Sequence, residues 1–366
     1  SNNDITITGT RVTLDNDSNS ISGATFDVTD GSILQLNNEE VIGSSSTLNT
    51  VDLNSTGKLY INGGTGSSFF VGGLTGSGGT VQRNTGGTET INIGNNNDNS
   101  FGGVISGSDQ NGSAATINVV KVGSGIQTLS GTNTYTGNTT VSAGTLEISG
   151  TLGSGDYAGD ISNSGTLSFS SSSDQDLTGD ISGTGALTKS GSGELKLLGS
   201  NNYTGNTTIS GGTLRVAGTS SDTATLGQTN VTVNSEGRFI IGQYSSINGN
   251  ATIDINSGGE MRVKQDLSNN ITITGGGNTS SVTNKGAIIN TGGDNTYSGL
   301  ITLDGNATIA ASSNNMTFNV SSGNSFTGTG DLTFDTASNT ITVSDPIANT
   351  GGLIKEDSGT LVLAGT

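Results

Sequence analysis

Four pairs of closely spaced carboxylates are the residues in this chain best placed to do chemistry: Asp15 with Asp17, Glu39 with Glu40, Asp174 with Asp176, and Glu356 with Asp357. Paired acids can share the work of general acid and base or nucleophile, as cleavage of a glycosidic bond requires. Each pair lies in a polar, turn-like stretch, where acids are ordinarily solvated. The chain has no His and no Cys. That closes Ser-His-Asp catalysis, His-metal sites, thiolate ligation and Cys nucleophiles. The Ca²⁺-binding nonapeptide repeat of secreted solenoids is also missing. On this reading the chain is no enzyme, with no catalytic, cofactor-binding or metal-binding residue and no cofactor.

Two further patterns bear on binding. An Asn-x-aromatic-x-Gly unit recurs at Asn99-Phe101-Gly103, Asn133-Tyr135-Gly137, Asn201-Tyr203-Gly205, Asn295-Tyr297-Gly299 and Asn324-Phe326-Gly328. Looser versions carry Tyr157 and Leu177. Asn and Gly suit a sharp corner, so the aromatic is expected to pack over it rather than to stack on sugar rings. Thr-x-Thr pairs at Thr6-Ile7-Thr8 and Thr272-Ile273-Thr274 resemble those of ice-binding faces. They are too sporadic to form a continuous array.

The elements that hold these residues are short strands. Gly makes up 61 of 366 residues, Pro is 1, and apolar residues are 29%, well below the usual ~45–50%. Low apolar content ordinarily signals disorder. Here the apolar residues sit in short alternating runs, and charged residues are only 11%. This is the composition of a β-protein with many turns and a narrow core. The net charge is −18, with 12 Lys and Arg spread along the chain. That argues against nucleic acid and anionic membrane as partners. No apolar run approaches the ~18 residues of a spanning helix.

A Gly followed by an alternating strand starts at Gly31, Gly57, Gly79, Gly103, Gly125, Gly144, Gly165, Gly185, Gly212, Gly237, Gly259, Gly286, Gly305, Gly330 and Gly352. The mean step is roughly 23 residues, within the window of solenoid repeats. No segment sustains helical periodicity, and Gly recurs too often for a long helix. The expected fold is all-β, a right-handed parallel β-helix of roughly 15–16 coils of about 23 residues. Coils stacked at roughly 4.8 Å would make a body on the order of 75 Å long. A propeller has a longer repeat and a sandwich needs a larger aromatic core. The reading takes residues 1–366 as one continuous solenoid and a piece of a longer polypeptide, because Leu363-Ala364-Gly365 matches Leu197-Leu198-Gly199, where the earlier copy runs on.

Residues 123–149 (GSGIQTLSGTNTYTGNTTVSAGTLEIS) and 191–217 (GSGELKLLGSNNYTGNTTISGGTLRVA) resemble the passenger-associated transport repeat of bacterial autotransporters, and residues 353–366 resemble the start of a third copy. The resemblance implies a β-helical passenger exported through the outer membrane to the cell surface, an adhesin or other surface protein. There the repeats assist export and folding rather than catalysis. It implies as partners other surface proteins, host or neighbouring-cell surfaces, or polysaccharide, with no membrane contact from this segment. The alternatives are a filament subunit joined end to end by coil stacking, and a carbohydrate-active β-helix enzyme.

Overall fold

A computed structural model describes residues 4–15, 23–37, 43–44, 47–220, 223–277 and 285–365. Asp17, Glu39 and Glu40 lie outside them. The chain is an all-β parallel solenoid of about 15 turns, with ~22 residues per turn and almost no helix. The Gly spacing predicts this repeat. The helical element among the described residues is one 3₁₀ turn, Gly153–Gly155. The fold resolves into two compact units, Ser1–Ala186 and Leu187–Thr366.

In the first unit, one parallel sheet opens with Ile5–Ile7, Thr25–Val28 and Thr50–Leu53 and runs on, one strand per turn, to Ile181–Ser182. A second sheet stacks Arg11–Leu14, Ile33–Asn37, Lys58–Asn62, Thr80–Arg83 and Val104–Asp109. Its register aligns Leu34, Leu59, Val81 and Ile105 in one inward column, and all four are fully buried. Each such side chain contributes about 1.5–3 kcal/mol by leaving water. That gain exists only when the next coil covers it, so the repeats stabilise one another. Outside the column, Asn84 donates to Asn62, Asn62 to Asn37, and Asn37 to Asp15, at 3.2, 2.8 and 3.0 Å. Amide ladders of this kind satisfy the polar edge of the coils.

In the second unit, the strands Glu194–Leu197, Gly212–Val216, Gly237–Ile241 and Glu260–Val263 are consecutive neighbours in one sheet, which continues to Leu353–Glu356. Its inward column reads Leu195, Leu214, Phe239, Met261, Ile288, Ile309 and Phe334. A companion sheet aligns Ile209, Val233, Ile255, Ile273 and Leu303 in the same way. Strands alternate buried and half-buried residues, so Thr, Arg and Asn at the intervening positions face outward. Period-2 patterning thus explains how a chain only 29% apolar still has a continuous core.

Candidate functional site

The aromatic of each corner points inward. Phe101, Tyr135, Tyr203 and Phe326 are fully buried, and Tyr297 and Tyr157 nearly so. None of these rings is presented to a ligand. Tyr135 meets Tyr157 of the following coil edge to face, with centroids 5.4 Å apart, a geometry the ring quadrupole favours. Burial pushes the Tyr135 hydroxyl up to about 12 against the hydrogen bonds it makes, and raises Tyr203 and Tyr297 as well.

Two of the corners are built alike. Asn133 Nδ2 donates to the carbonyl of Gly131 at 3.0 Å and to that of Thr151, one coil on, at 3.3 Å. Its Oδ1 accepts from the backbone N–H of Ile105, one coil back, at 3.0 Å. Asn201 Nδ2 likewise donates to Gly199 at 2.9 Å and to Thr225, one coil on, at 3.0 Å. Each aromatic hydroxyl then meets a threonine four residues later: Tyr135 with Thr139 at 2.9 Å, Tyr203 with Thr207 at 2.7 Å. A third hydroxyl from the following coil closes each chain onto the corner glycine carbonyl. Tyr157 does so at Gly137, and Thr229 at Gly205. Different side chains therefore fill the same hydrogen-bonding position. The other corners differ. Asn99 bonds Asn95 and the carbonyl of Asn97, and Asn295 bonds Asn290, all within a few residues.

A feature the sequence reading passed over lies beside these corners. Lys121 and Lys189 occupy inward positions, in register with Val141 and Ile209, and are 0% and 2% exposed. Lys121 Nζ donates to the carbonyls of Val122, Gly123 and, on the next coil, Ala143, at 2.7, 2.8 and 3.2 Å. Lys189 Nζ donates to Gly191 and, on the next coil, to Gly211. Each ammonium is thus met by carbonyl dipoles of its own coil and of the next. Desolvation pushes the Lys121 ammonium down to about 8, opposed by Asp98. Gly144 and Gly212 complete the cradles. Both have positive φ, +62° and +59°, and a Cβ at either would lie 2.8 Å from the lysine Nζ. The signal was present as Lys-x-Gly-Ser-Gly at Lys121 and at Lys189.

Two stretches, residues 119–148 and 187–216, match the family model described as the passenger-associated-transport-repeat. Together with the solenoid they fit an autotransporter passenger built of β-helical repeats. No curated protein and no solved structure matches the chain. Each matched stretch runs from the lysine strand, through the Asn-Tyr corner and the glycine that closes the cradle, to the end of the next strand. The repeat is therefore one coil together with the surfaces that receive the next.

Among the described residues, Asp174, Asp176, Glu356 and Asp357 line none of the three cavities of the second unit. Asp176 lies in a strand rather than a turn, in register with Asp156. Glu356 is also in a strand, in register with Asp335, and Asp357 follows it. Burial and the neighbouring Asp357 and Glu356 raise the Asp335 carboxyl, against the N–H of Ala337. Among the described residues no group of three or more His, Cys, Asp or Glu could hold a metal. Cavities of about 390, 360 and 290 Å³ in the second unit are lined by Asp266, by no carboxylate, and by Asp345, respectively.

Thr272 stands in an outward column with Thr208, Thr232, Asp254 and Thr302 in register. The neighbouring outward residues are Ser210, Asn234 and Asn256, bonded to one another. A flat array of paired threonines is not formed there.

Proposed function

We propose that the chain is part of a passenger that is exported to the bacterial surface and serves there as the structural and adhesive shaft of a larger protein. The observation that carries this is the like construction of the two stretches that match the transport repeat. Each ties its own coil to the next through an Asn amide and a buried lysine, so each completed coil presents the bonding partners for the one that follows. A chain emerging unfolded from an export pore can then fold coil by coil on a template. The absence of Cys suits such a passage, since no disulfide can form before it.

The test is display. Residues 1–366 are placed between a secretory leader and an outer-membrane barrel of an autotransporter in a Gram-negative host. Surface exposure is read by protease shaving and antibody labelling of whole cells. Efficient display of a protease-resistant core is the expected result, with Asn133→Ala/Asn201→Ala lowering it. Retention of a folded wild-type chain in the periplasm, with the same barrel displaying a control passenger, would overturn the reading.

A further inference from the structure

The ladder of the second unit skips one rung. Ser245–Ile247 pairs with Ala224–Leu226 one coil back, and these two strands form a sheet by themselves. On the next coil Leu267 takes up the pairing again, but with Tyr297 of the coil that follows. Its N–H donates to Thr296 and its carbonyl accepts from Ser298, both at 2.9 Å. Among the described residues no β-bridge joins Ser245–Ile247 to residues 266–268. Strand edges unpaired in this way present main-chain N–H and C=O groups to whatever lies between them.

Side-chain amides cross the break. Gln265 Nε2 donates to the carbonyl of Ser245 at 2.7 Å. Asn269 Nδ2 donates to the carbonyls of Asn248 and Ala251 at 2.7 and 2.9 Å. The break is therefore a slot bolted at both ends. The cavity of about 390 Å³ occupies it, lined by the two facing edges, Ser245–Ile247 and residues 265–269.

A second cavity adjoins the slot. The pairing of Leu267 with Tyr297 sets Ser268, at the first cavity, beside Ser298, at the cavity of about 360 Å³. Ser321, Ser322, Asn324 and Thr327 continue the lining there. Both volumes fall within the roughly 300–1,000 Å³ usual for ligand sites. Among the described residues no lysine or arginine lines either cavity. The one carboxylate, Asp266, already accepts from the N–H of Thr296 at 2.7 Å. Tyr244 directly precedes the serines of the first edge. It is the one exposed aromatic among the described residues, at 53%. Its φ is +55°, a region that non-glycine residues rarely adopt and that concentrates at ligand-binding positions.

We infer that this groove of the second unit binds a neutral polysaccharide. Tyr244 stacks on one sugar ring, the slot takes hydroxyl groups on its main-chain edges, and the serines and Asn324 of the second cavity take those of the next sugar units. A hydroxyl both donates and accepts, which matches edges that offer N–H and C=O together. A peptide added as a β-strand is the other guest that unpaired edges invite. The amides of Gln265 and Asn269 bar it. They cross the slot at Ser245 and Asn248, roughly 10 Å apart along the strand, so no longer strand passes through. An acidic polymer would meet Asp266 on a chain of charge −18, with no cation lining the groove. The inference goes beyond the shaft role. It is read in solution, so binding and display can fail separately.

The experiment measures binding of residues 1–366 to a panel of neutral polysaccharides (dextran, laminarin, glucomannan and galactan), to polygalacturonate, and to a Thr-rich peptide of high strand propensity. At least one neutral polymer is expected to bind, equally at low and high salt. Polygalacturonate and the peptide should bind at least about tenfold more weakly. Ser246→Leu/Ser268→Leu, at two exposed positions of the slot, should lower the affinity at least about tenfold by obstructing it. Tyr244→Ala should lower it about fivefold. Thr232→Leu, half-buried on the outward side of another sheet, should leave it unchanged. Circular dichroism checks each fold. Should the slot variant not fold, Tyr244→Ala decides the matter. No binding of any neutral polymer, equal binding of polygalacturonate or of the peptide, or indifference to Tyr244→Ala would each overturn the inference.

Discussion

The Nζ of Lys121 donates to the carbonyl of Ala143, one coil further along, at 3.2 Å, and the pair recurs as Lys189 with Gly211. A lysine is thus used as a bolt between coils. Its long stem fills an aliphatic position and its ammonium gathers carbonyls that the turn leaves exposed. Lys355 begins the same arrangement, donating to the carbonyl of Asp357 at 2.6 Å.

Lys121→Met should keep the stem and strip the carbonyls of their donor. Leaving such groups unpaired costs about 1–3 kcal/mol, read as a lower denaturant midpoint at pH 7. The pH dependence separates this from a packing defect. The folded ammonium titrates near 8 and the unfolded one near 10.5. Between those values the unfolded chain binds the proton more tightly, so this group makes stability rise with pH across that window. The rise should be smaller in Lys121→Met.

Gly212→Ala tests the other wall of the cradle. The backbone there has φ +59°, and a Cβ would lie 2.3 Å from the carbonyl oxygen of Gly191. Strain of about 1–3 kcal/mol is expected from the conformation, with the clash adding to it. Gly249→Ala is the control. Its φ is not positive and the nearest atom to a new Cβ is 3.8 Å away, so its effect should stay within about 0.5 kcal/mol. Equal loss in the two variants would sink this account.

Asn133→Asp should be worse than Asn133→Ala at neutral pH. The amide nitrogen now faces the carbonyls of Gly131 and Thr151, and a carboxylate in its place meets them as an acceptor against acceptors. Loss of the amide alone should cost about 1–3 kcal/mol. The gap between Asp and Ala should narrow on acidification, as the carboxyl gains a proton it can donate. Chemical denaturation at pH 7 and pH 4 would measure it.

Asp335→Asn should stabilise the second unit at neutral pH. Burial and the neighbouring acids raise the folded carboxyl above its usual 3.8. As pH rises through that raised value, the folded chain must ionise an unfavourably placed group, so stability is lost. Below 3.8 both states are protonated and the advantage of the variant should vanish. An advantage that persists in acid would show that charge is not its cause.

The coil period, the strands and the inward columns were legible because they rest on local patterns. Glycine marks each turn, and alternation assigns Leu195 and Leu197 to one face. The corners were legible as turns, and the inward packing of Tyr135 and Tyr203 follows. Their bonding was only partly legible. Asn133 and Asn201 reach the next coil, while Asn99 and Asn295 bond close by, although all four share one motif. The partner is chosen by the backbone that stacks above, which no five-residue motif contains.

The lysines show the same division. Lys189 and Lys196 are seven residues apart in strands of like composition. One is an inward bolt and the other is half-buried on the outward side, in register with Arg215. Amino-acid type alone predicts both to be exposed. The sequence by itself determined a parallel solenoid, because turn chemistry and period-2 alternation act within a few residues. Which lysine is buried, and which arginines share a face, was decided by the tertiary structure. Coil lengths vary around ~22 residues, so neighbours across the stack are set by the register of whole strands, where backbone bonds and buried columns outweigh the preference of any one side chain.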